Sequence, residues 1–144
     1  MKITGHFSTT INNLQLWADH DRIDFKLNPH FPINTLKLMR GAIAAETRHE
    51  LEVYSNAVFD AMWQDGRNLG DADEVHDVLL SAGLDADAYA AAIEEDGIKA
   101  VLVANTDAAV AAGLFGAPSF IVGSRLFFGQ DRMDFVEAEL MKAV

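Results

Sequence analysis

The sequence predicts an α/β chain that is mostly helical and ends in a β-hairpin followed by a last helix. Three observations carry this reading. Between residues 11 and 112 the apolar side chains recur at three- and four-residue intervals, in segments that stop at Gly66, Gly83 and Gly113. The stretch "APSFIVGSRLFF" then sets two β-branched and aromatic runs on either side of Gly123 and Ser124, with glycine first, as a type II′ hairpin turn asks. Beyond it, "GQDRMDFVEAEL" returns to helical spacing.

Each element has its own signal. "INNLQLWADH" puts Ile11, Leu14, Trp17 and Ala18 on one helical face. "RIDFKLN" alternates Ile23, Phe25 and Leu27 with Asp24 and Lys26, which predicts a short strand. In "NPHFPIN" two prolines, Pro29 and Pro32, predict an irregular loop. Asn34 is placed to cap the next helix, on which Leu36, Met39 and Ile43 share a face. In "LEVYSNAVFDAMWQDGR" the stripe is Leu51, Val58, Phe59, Met62 and Trp63. "DADEVHDVLLSAG" opens on Asp71 with Glu74 three residues on, close to a capping box, and closes on Gly83. Asp85 starts a short alanine-rich helix, and a further helix runs over residues 96–112. The last helix, from about Asp131, presents Met133, Val136 and Leu140 as its buried stripe. One tension remains in this layout. "SFIV" is apolar at consecutive positions, which predicts burial on both faces, yet the chain offers few other strands, and an isolated hairpin is marginal in water.

Composition narrows the function classes. There are 22 acidic and 11 basic side chains, a formal net charge of -11, which repels nucleic acid and anionic membrane. No apolar run has the length of a membrane span, and no signal peptide is expected, so a cytoplasmic location is the expectation. There is no cysteine, which excludes disulfides, thiolate ligands and cysteine nucleophiles, and with them a Cys-x-x-Cys oxidoreductase. "HELEV" at His49 begins like a zinc-protease helix, but Val53 stands where the second histidine is required, so no metal is expected.

Four blocks in order, "NPHFPINTLKLMRGAIAAE", "MWQDGRNLGD", "NTDAAVAAGLFGAPSFIVG" and "LFFGQDRMDFVEAEL", resemble the 2-hydroxychromene-2-carboxylate isomerase family. That family is related to the kappa-class glutathione transferases and to the DsbA-like thioredoxin group. The resemblance covers the chain from about Leu16 to its end. It implies a thioredoxin-like fold with an inserted helical domain: residues 1–27 an N-terminal helix and short strand, 28–112 the inserted helices, 113–144 the C-terminal hairpin and helix of the thioredoxin unit. In the family an opening strand, helix and strand carry the catalytic serine in a phenylalanine-rich motif followed by Ser-Pro. A β-α-β unit takes roughly 30 or more residues, and the match here already begins near Leu16, so that half-domain is expected to be missing. Ser8, Ser55, Ser81, Ser119 and Ser124 do not lie in such a motif, and the catalytic residue is left unassigned.

The resemblance also implies a site. Ala117-Pro118 matches the family's cis-proline position, where the backbone N–H and C=O of the preceding residue face outward and pair with an extended peptide. Glutathione is such a peptide. Phe128, Gly129, Gln130 and Asp131 stand where the last helix begins. There Gln130 and the helix start would hold the γ-glutamyl carboxylate and Asp131 the ammonium, a role compatible with the plain N-cap that the residue alone suggests. Asn28, Pro29 and Phe31 are either one wall of an aromatic-acid pocket or a rigid joint. Arg40 and Arg48 could each meet a substrate carboxylate, though an arginine on a helix is more often solvated or ion-paired.

The function so implied is a glutathione-dependent isomerase of aromatic catabolism. The glutathione thiolate adds to the conjugated substrate, the hemiketal ring opens, the former double bond rotates, and the thiolate leaves. Glutathione is a cofactor, a small aromatic acid the substrate, and a homo-oligomer is expected because an open apolar strand edge invites pairing. The alternatives are a non-catalytic ligand- or partner-binding remnant of the same fold and a kappa-like glutathione transferase.

Overall fold

The computed structural model describes residues 4–142, with side chains from residue 12 onward. Its elements are α1 (Thr4–Asp21), α2 (Leu36–Thr47), α3 (Leu51–Trp63), α4 (Ala72–Ser81), α5 (Ala86–Ala92), α6 (Asp96–Ala111), β1 (Ser119–Val122), β2 (Arg125–Phe128), a 3-10 turn at Gln130–Arg132, and α7 (Met133–Leu140). The chain forms two compact units, residues 1–102 and 103–144, and α6 runs from one into the other. Among the described residues no helix is long and apolar enough to cross a membrane.

In the first unit α2 packs on α3 and α5, α3 on α4, and α4 on α5. Two apolar clusters result, one around Tyr54, Leu79, Leu84 and Tyr89, the other around Leu38, Met62 and Leu69. The buried face of α2 differs from the expected one. Leu38, Gly41, Ala44 and Ala45 are buried, whereas Leu36 and Met39 stay exposed. The reason is steric. Tyr54 lies across α2, its hydroxyl donating to the Leu38 carbonyl at 2.9 Å, and a Cβ at Gly41 would overlap that hydroxyl. Small residues permit the close approach, so size outweighs hydrophobicity in choosing the face. The Tyr54 ring stacks on Tyr89, centroids 5.3 Å apart, and the Tyr89 hydroxyl donates to Glu50 at 2.9 Å. On α3 likewise, Tyr54, Ala61 and Met62 are buried, while the predicted Leu51 and Phe59 are exposed.

Capping chemistry follows the sequence closely. Asp71 caps α4 by accepting from Asp73 at 2.9 Å and Asp85 caps α5 by accepting from Ala88 at 3.0 Å, whereas the N-cap of α2 is Thr35, without a side-chain bond, and Asn34 one residue earlier accepts from the Leu36 N–H at 3.0 Å. Glu74 does not complete a capping box, because it forms an ion pair with Arg67 instead. α4 and α6 both end with glycine in the left-handed region, Gly83 at φ 78° and Gly113 at φ 86°. In each, the glycine N–H and the next residue's N–H bond back to carbonyls of the last turn: Gly83 to Leu80, Leu84 to Leu79, Gly113 to Val110, Leu114 to Ala109.

The alternation at residues 23–27 forms no strand. Lys26 N–H donates to Trp63 O at 2.6 Å, and among the described residues this stretch makes no ladder. Alternation needs a neighbouring strand to become a sheet, and the neighbour here is a helix end.

The second unit holds the hairpin. β1 and β2 are antiparallel, with Ser119 opposite Phe128 and Val122 opposite Arg125. Gly123 has φ 60° and Ser124 has no positive φ, in keeping with the type II′ turn. α7 packs on β1, and Arg125 Nη1 reaches Glu139 at 3.2 Å. Of the predicted stripe on α7 only Val136 is buried; Met133 and Leu140 are half-exposed. A two-stranded sheet is too narrow to cover a whole helix face.

Candidate functional site

Six of the residues singled out in the sequence come together in the second unit. The Ala117-Pro118 peptide is cis. The Gly129 N–H donates to the Pro118 carbonyl at 3.0 Å, one step beyond the Ser119–Phe128 pair, so the proline and the start of the last helix are joined directly. Ser119 Oγ donates to Gly116 O at 2.6 Å and fixes the approach to β1. The Phe128 ring meets the Phe115 ring at 4.7 Å and lies over Gly116, where a Cβ would come within 2.8 Å of it. Among the described residues neither the N–H nor the C=O of Ala117 forms a hydrogen bond, and Ala117 is exposed. An extended backbone could pair with these two groups.

Asp131 is arranged differently from a plain N-cap. It does not cap the last helix. Its Oδ2 pairs with Arg132 Nη1 at 3.0 Å, and its other oxygen lies over Gly129, where a Cβ would be 2.6 Å away. Gly129 has φ 103°, a conformation open to glycine, and its missing side chain leaves room for that carboxylate. The pair is half-exposed and so individually weak. Gln130 is exposed. Farther along α7, Glu139 is held below the usual carboxylate range, first by the Lys142 hydrogen bond and then by Arg125.

Asn28, Pro29 and Phe31 lie in the first unit. Asn28 is buried, and its amide is fully occupied within the unit. Nδ2 donates to the carbonyls of Met62 at 2.9 Å and Arg67 at 2.8 Å, while Oδ1 accepts from the His30 N–H at 2.8 Å. This side chain pins the proline loop to the end of α3. Phe31, half-exposed, sets its ring 5.9 Å from Trp63, and Phe25 stacks on Trp63 at 5.8 Å. The three rings make an aromatic shelf. Sequence alone does not join Phe25 and Trp63 to Phe31, because alternation marks Phe25 as a strand residue and helical spacing marks Trp63 as core. Phe31-Pro32 is a second cis peptide, which nothing in that reading anticipated.

Of the two arginines, Arg48 lies over the Tyr89 ring at 5.3 Å. Arg40 is half-buried and its Nε has no hydrogen-bond partner. Among the described residues no group of three or more His, Asp or Glu could hold a metal ion.

A hairpin carried by a cis-proline strand, a last helix docked on it, and a preceding run of helices define a class that the comparisons identify. A family model described as a DSBA-like thioredoxin domain matches residues 4–141, and the chain belongs to this family. Its fold is DSBA-like and mostly helical. Among curated relatives, the 2-hydroxychromene-2-carboxylate isomerase of Sphingobium xenophagum is 29% identical over 100 residues, covering 69% of this chain and 51% of that protein. The protein of the same name from Pseudomonas sp. (strain C18) is 27% identical over 127 residues, covering 87% of this chain and 58% of the relative. The chain thus spans just over half the length of the curated relatives it matches. A solved structure of selenomethionine 2-hydroxychromene-2-carboxylate isomerase has the same fold, with a TM-score of 0.83 at 22% identity, over 95% of this chain and 66% of that one.

Proposed function

We propose that this chain serves a glutathione-dependent isomerisation of a small aromatic carboxylate, of the kind named by its relatives, with glutathione as a cofactor that is not consumed. The observation that carries the reading is the Gly129–Pro118 hydrogen bond. It holds the unpartnered backbone of Ala117 and the Gln130–Asp131 turn in one place. The cysteinyl part of glutathione pairs with Ala117, in the manner of an added strand. The γ-glutamyl carboxylate lies near Gln130, and its ammonium takes the Asp131 carboxylate in place of the exposed Arg132 guanidinium. Phe128 and Gly129 shape the floor between them. Separately, the shelf around Phe31 offers a face for an aromatic ring, with Asn28 supporting the loop from within.

No serine of the chain is assigned to thiolate stabilisation, so turnover by this chain alone is expected to be slow or absent. A second reading, a ligand-binding module without catalysis, is favoured by one observation: Asp131 already has Arg132 as its partner.

Titration calorimetry with glutathione on the wild type and Asp131→Ala tests the proposal. Weak binding that falls roughly tenfold or more in the variant is expected for loss of a charge-assisted bond. Absence of binding to the wild type sinks the glutathione seat, and equal binding by both proteins moves it away from Asp131.

A further inference from the structure

We propose that the Asp65-Gly66 peptide is a modification site, where the chain closes a succinimide ring and reopens as isoaspartate. The sequence holds two Asp-Gly pairs, Asp65-Gly66 and Asp96-Gly97. Glycine after aspartate leaves the following peptide nitrogen without a side chain to shield it. In the first step the Gly66 nitrogen bonds to Asp65 Cγ and gives up its proton, while the hydroxyl of the protonated carboxyl leaves as water. Water then adds at one of the two ring carbonyls and breaks that carbon's bond to the nitrogen. Opening at Cγ restores aspartate. Opening at the main-chain carbonyl leaves the chain running through Cγ, one methylene longer. Water is the only co-reactant.

The two pairs differ in what holds them. Asp65 lies just past α3 and is exposed, and among the described residues its carboxylate forms neither a hydrogen bond nor an ion pair. The Arg67 guanidinium, two residues on, is engaged by Glu74 and Asp77. The peptide between Asp65 and Gly66 bonds nowhere among the described residues: the Gly66 N–H has no acceptor and the Asp65 carbonyl no donor. The peptides on either side are tied, Asp65 N–H to Asp60 O at 3.0 Å and Arg67 N–H to Ala61 O at 2.8 Å. One peptide is therefore free to turn between two fixed points. Ring closure needs that turn, because it brings the aspartate Cβ nearly into the plane of the next peptide. Asp96, by contrast, opens α6, where the helix holds ψ near about −42°, away from the required rotation. Its carboxylate also lies 3.7 Å from Lys99 Nζ. The consequence at Asp65 reaches the aromatic shelf. Asn28 Nδ2 donates to Met62 O and Arg67 O, one on each side of the reactive peptide, and Lys26 N–H donates to Trp63 O. A methylene added between residues 62 and 67 changes the spacing of these acceptors and loosens the loop that carries Phe31.

The test is to age the full chain at neutral pH and body temperature and to map it by peptide mass spectrometry, using a protease that cuts before aspartate and not before isoaspartate. A succinimide lighter by one water, and then isoaspartate, should accumulate at position 65 roughly fivefold or more faster than at position 96, the ratio that about 1 kcal/mol of helical restraint gives. A free peptide of sequence QDGRN sets the unrestrained rate. Asp65→Glu keeps the charge and removes no contact, and its ring would be one atom larger, so it should fold as the wild type does and stay unmodified. In the aged wild type the Lys26 and Arg67 amides should exchange faster with solvent while those of α4 and α5 keep their rates, and aged Asp65→Glu should show no change. Isoaspartate forming no faster at 65 than at 96, or none at 65 while the free peptide converts, overturns the site. Isoaspartate at 65 with unchanged exchange at Lys26 and Arg67 overturns its link to the shelf. None of these outcomes depends on glutathione or on the isomerase reading.

Discussion

The two units of the chain solve the same problem, hiding apolar surface, to very different degrees. In residues 1–102 four helices close around stacked tyrosines, and Tyr54, Leu69, Leu79 and Tyr89 are each at most 3% exposed. In residues 103–144 Val136 is the one buried apolar side chain among the described residues. Here α7 covers the hairpin face that carries Arg125, and the opposite face shows Ile121, Leu126 and Phe128, each at least 39% exposed. The difference teaches where to look for stability and where for recognition. Among the described residues of the helical unit, every buried side-chain nitrogen and oxygen has a hydrogen-bond partner except the Arg40 Nε. The hairpin unit presents groups that are not satisfied: the backbone of Ala117, an open sheet face, and an ion pair weak enough to exchange. Regions with few buried contacts open first and supply binding surfaces.

Breaking the better-packed side should have the largest effect. Tyr54→Ala removes a buried ring, its stack on Tyr89 and the bond to Leu38, and should cost about 3–5 kcal/mol in chemical denaturation. Gly41→Ala, which forces a methyl group into the Tyr54 hydroxyl, should cost about 1–3 kcal/mol from overpacking alone. A loss below 1 kcal/mol for both would mean that this core is not what holds the unit.

Raising pH tests the same core without mutation. Tyr54 and Tyr89 are the only two tyrosines in the sequence, so tyrosinate absorbance reports on this stack alone. Burial pushes both hydroxyls up, Tyr89 from the ordinary 10.0 to about 12, with the Glu50 hydrogen bond adding to the effect. The sign follows from proton linkage. Below pH 10 both states keep the proton and the stabilisation is whole. As pH rises from 10 through about 12, the unfolded chain loses protons that the folded one retains, and stability falls. No tyrosinate signal should appear in the folded protein at pH 10.5, and its later rise should coincide with unfolding. Ordinary titration near 10 with the fold intact would contradict the burial.

The smallest effect is expected on the open side. Val136→Ala should cost about 1.5 kcal/mol, two buried methyl equivalents, and hydrogen exchange should place the loss in β1, β2 and α7 with the α2–α5 amides unchanged. Uniform loss across the chain would erase the contrast between the units.

Much of this contrast is written in local residues, and much of it is not. Helix ends were legible because glycine chemistry is local: Gly83 and Gly113 take the backbone conformation their positions ask for, and Gly123 does the same in the hairpin. The cis bond before Pro118 was legible through the family resemblance, and not through the proline itself. The alternation at residues 23–27 misled because a strand is defined by a neighbour that sequence periodicity cannot supply. The faces of α2 and α3 misled because helical spacing singles out the large apolar residues, whereas the small size of Gly41, Ala44 and Ala45 is what admits Tyr54. At the candidate site, the unpaired backbone of Ala117 was legible through the resemblance, whereas Asp131 found its partner in the adjacent Arg132, a choice set by side-chain geometry.

The glutathione seat is tested most directly by an amide-resolved NMR titration with reduced glutathione. Chemical-shift changes should concentrate at Gly116, Ala117, Gly129, Gln130 and Asp131, and should vanish in Asp131→Ala over the same concentrations. Shifts confined to α2–α5, or none at any residue, would contradict the assignment of glutathione to the hairpin and the turn that follows it.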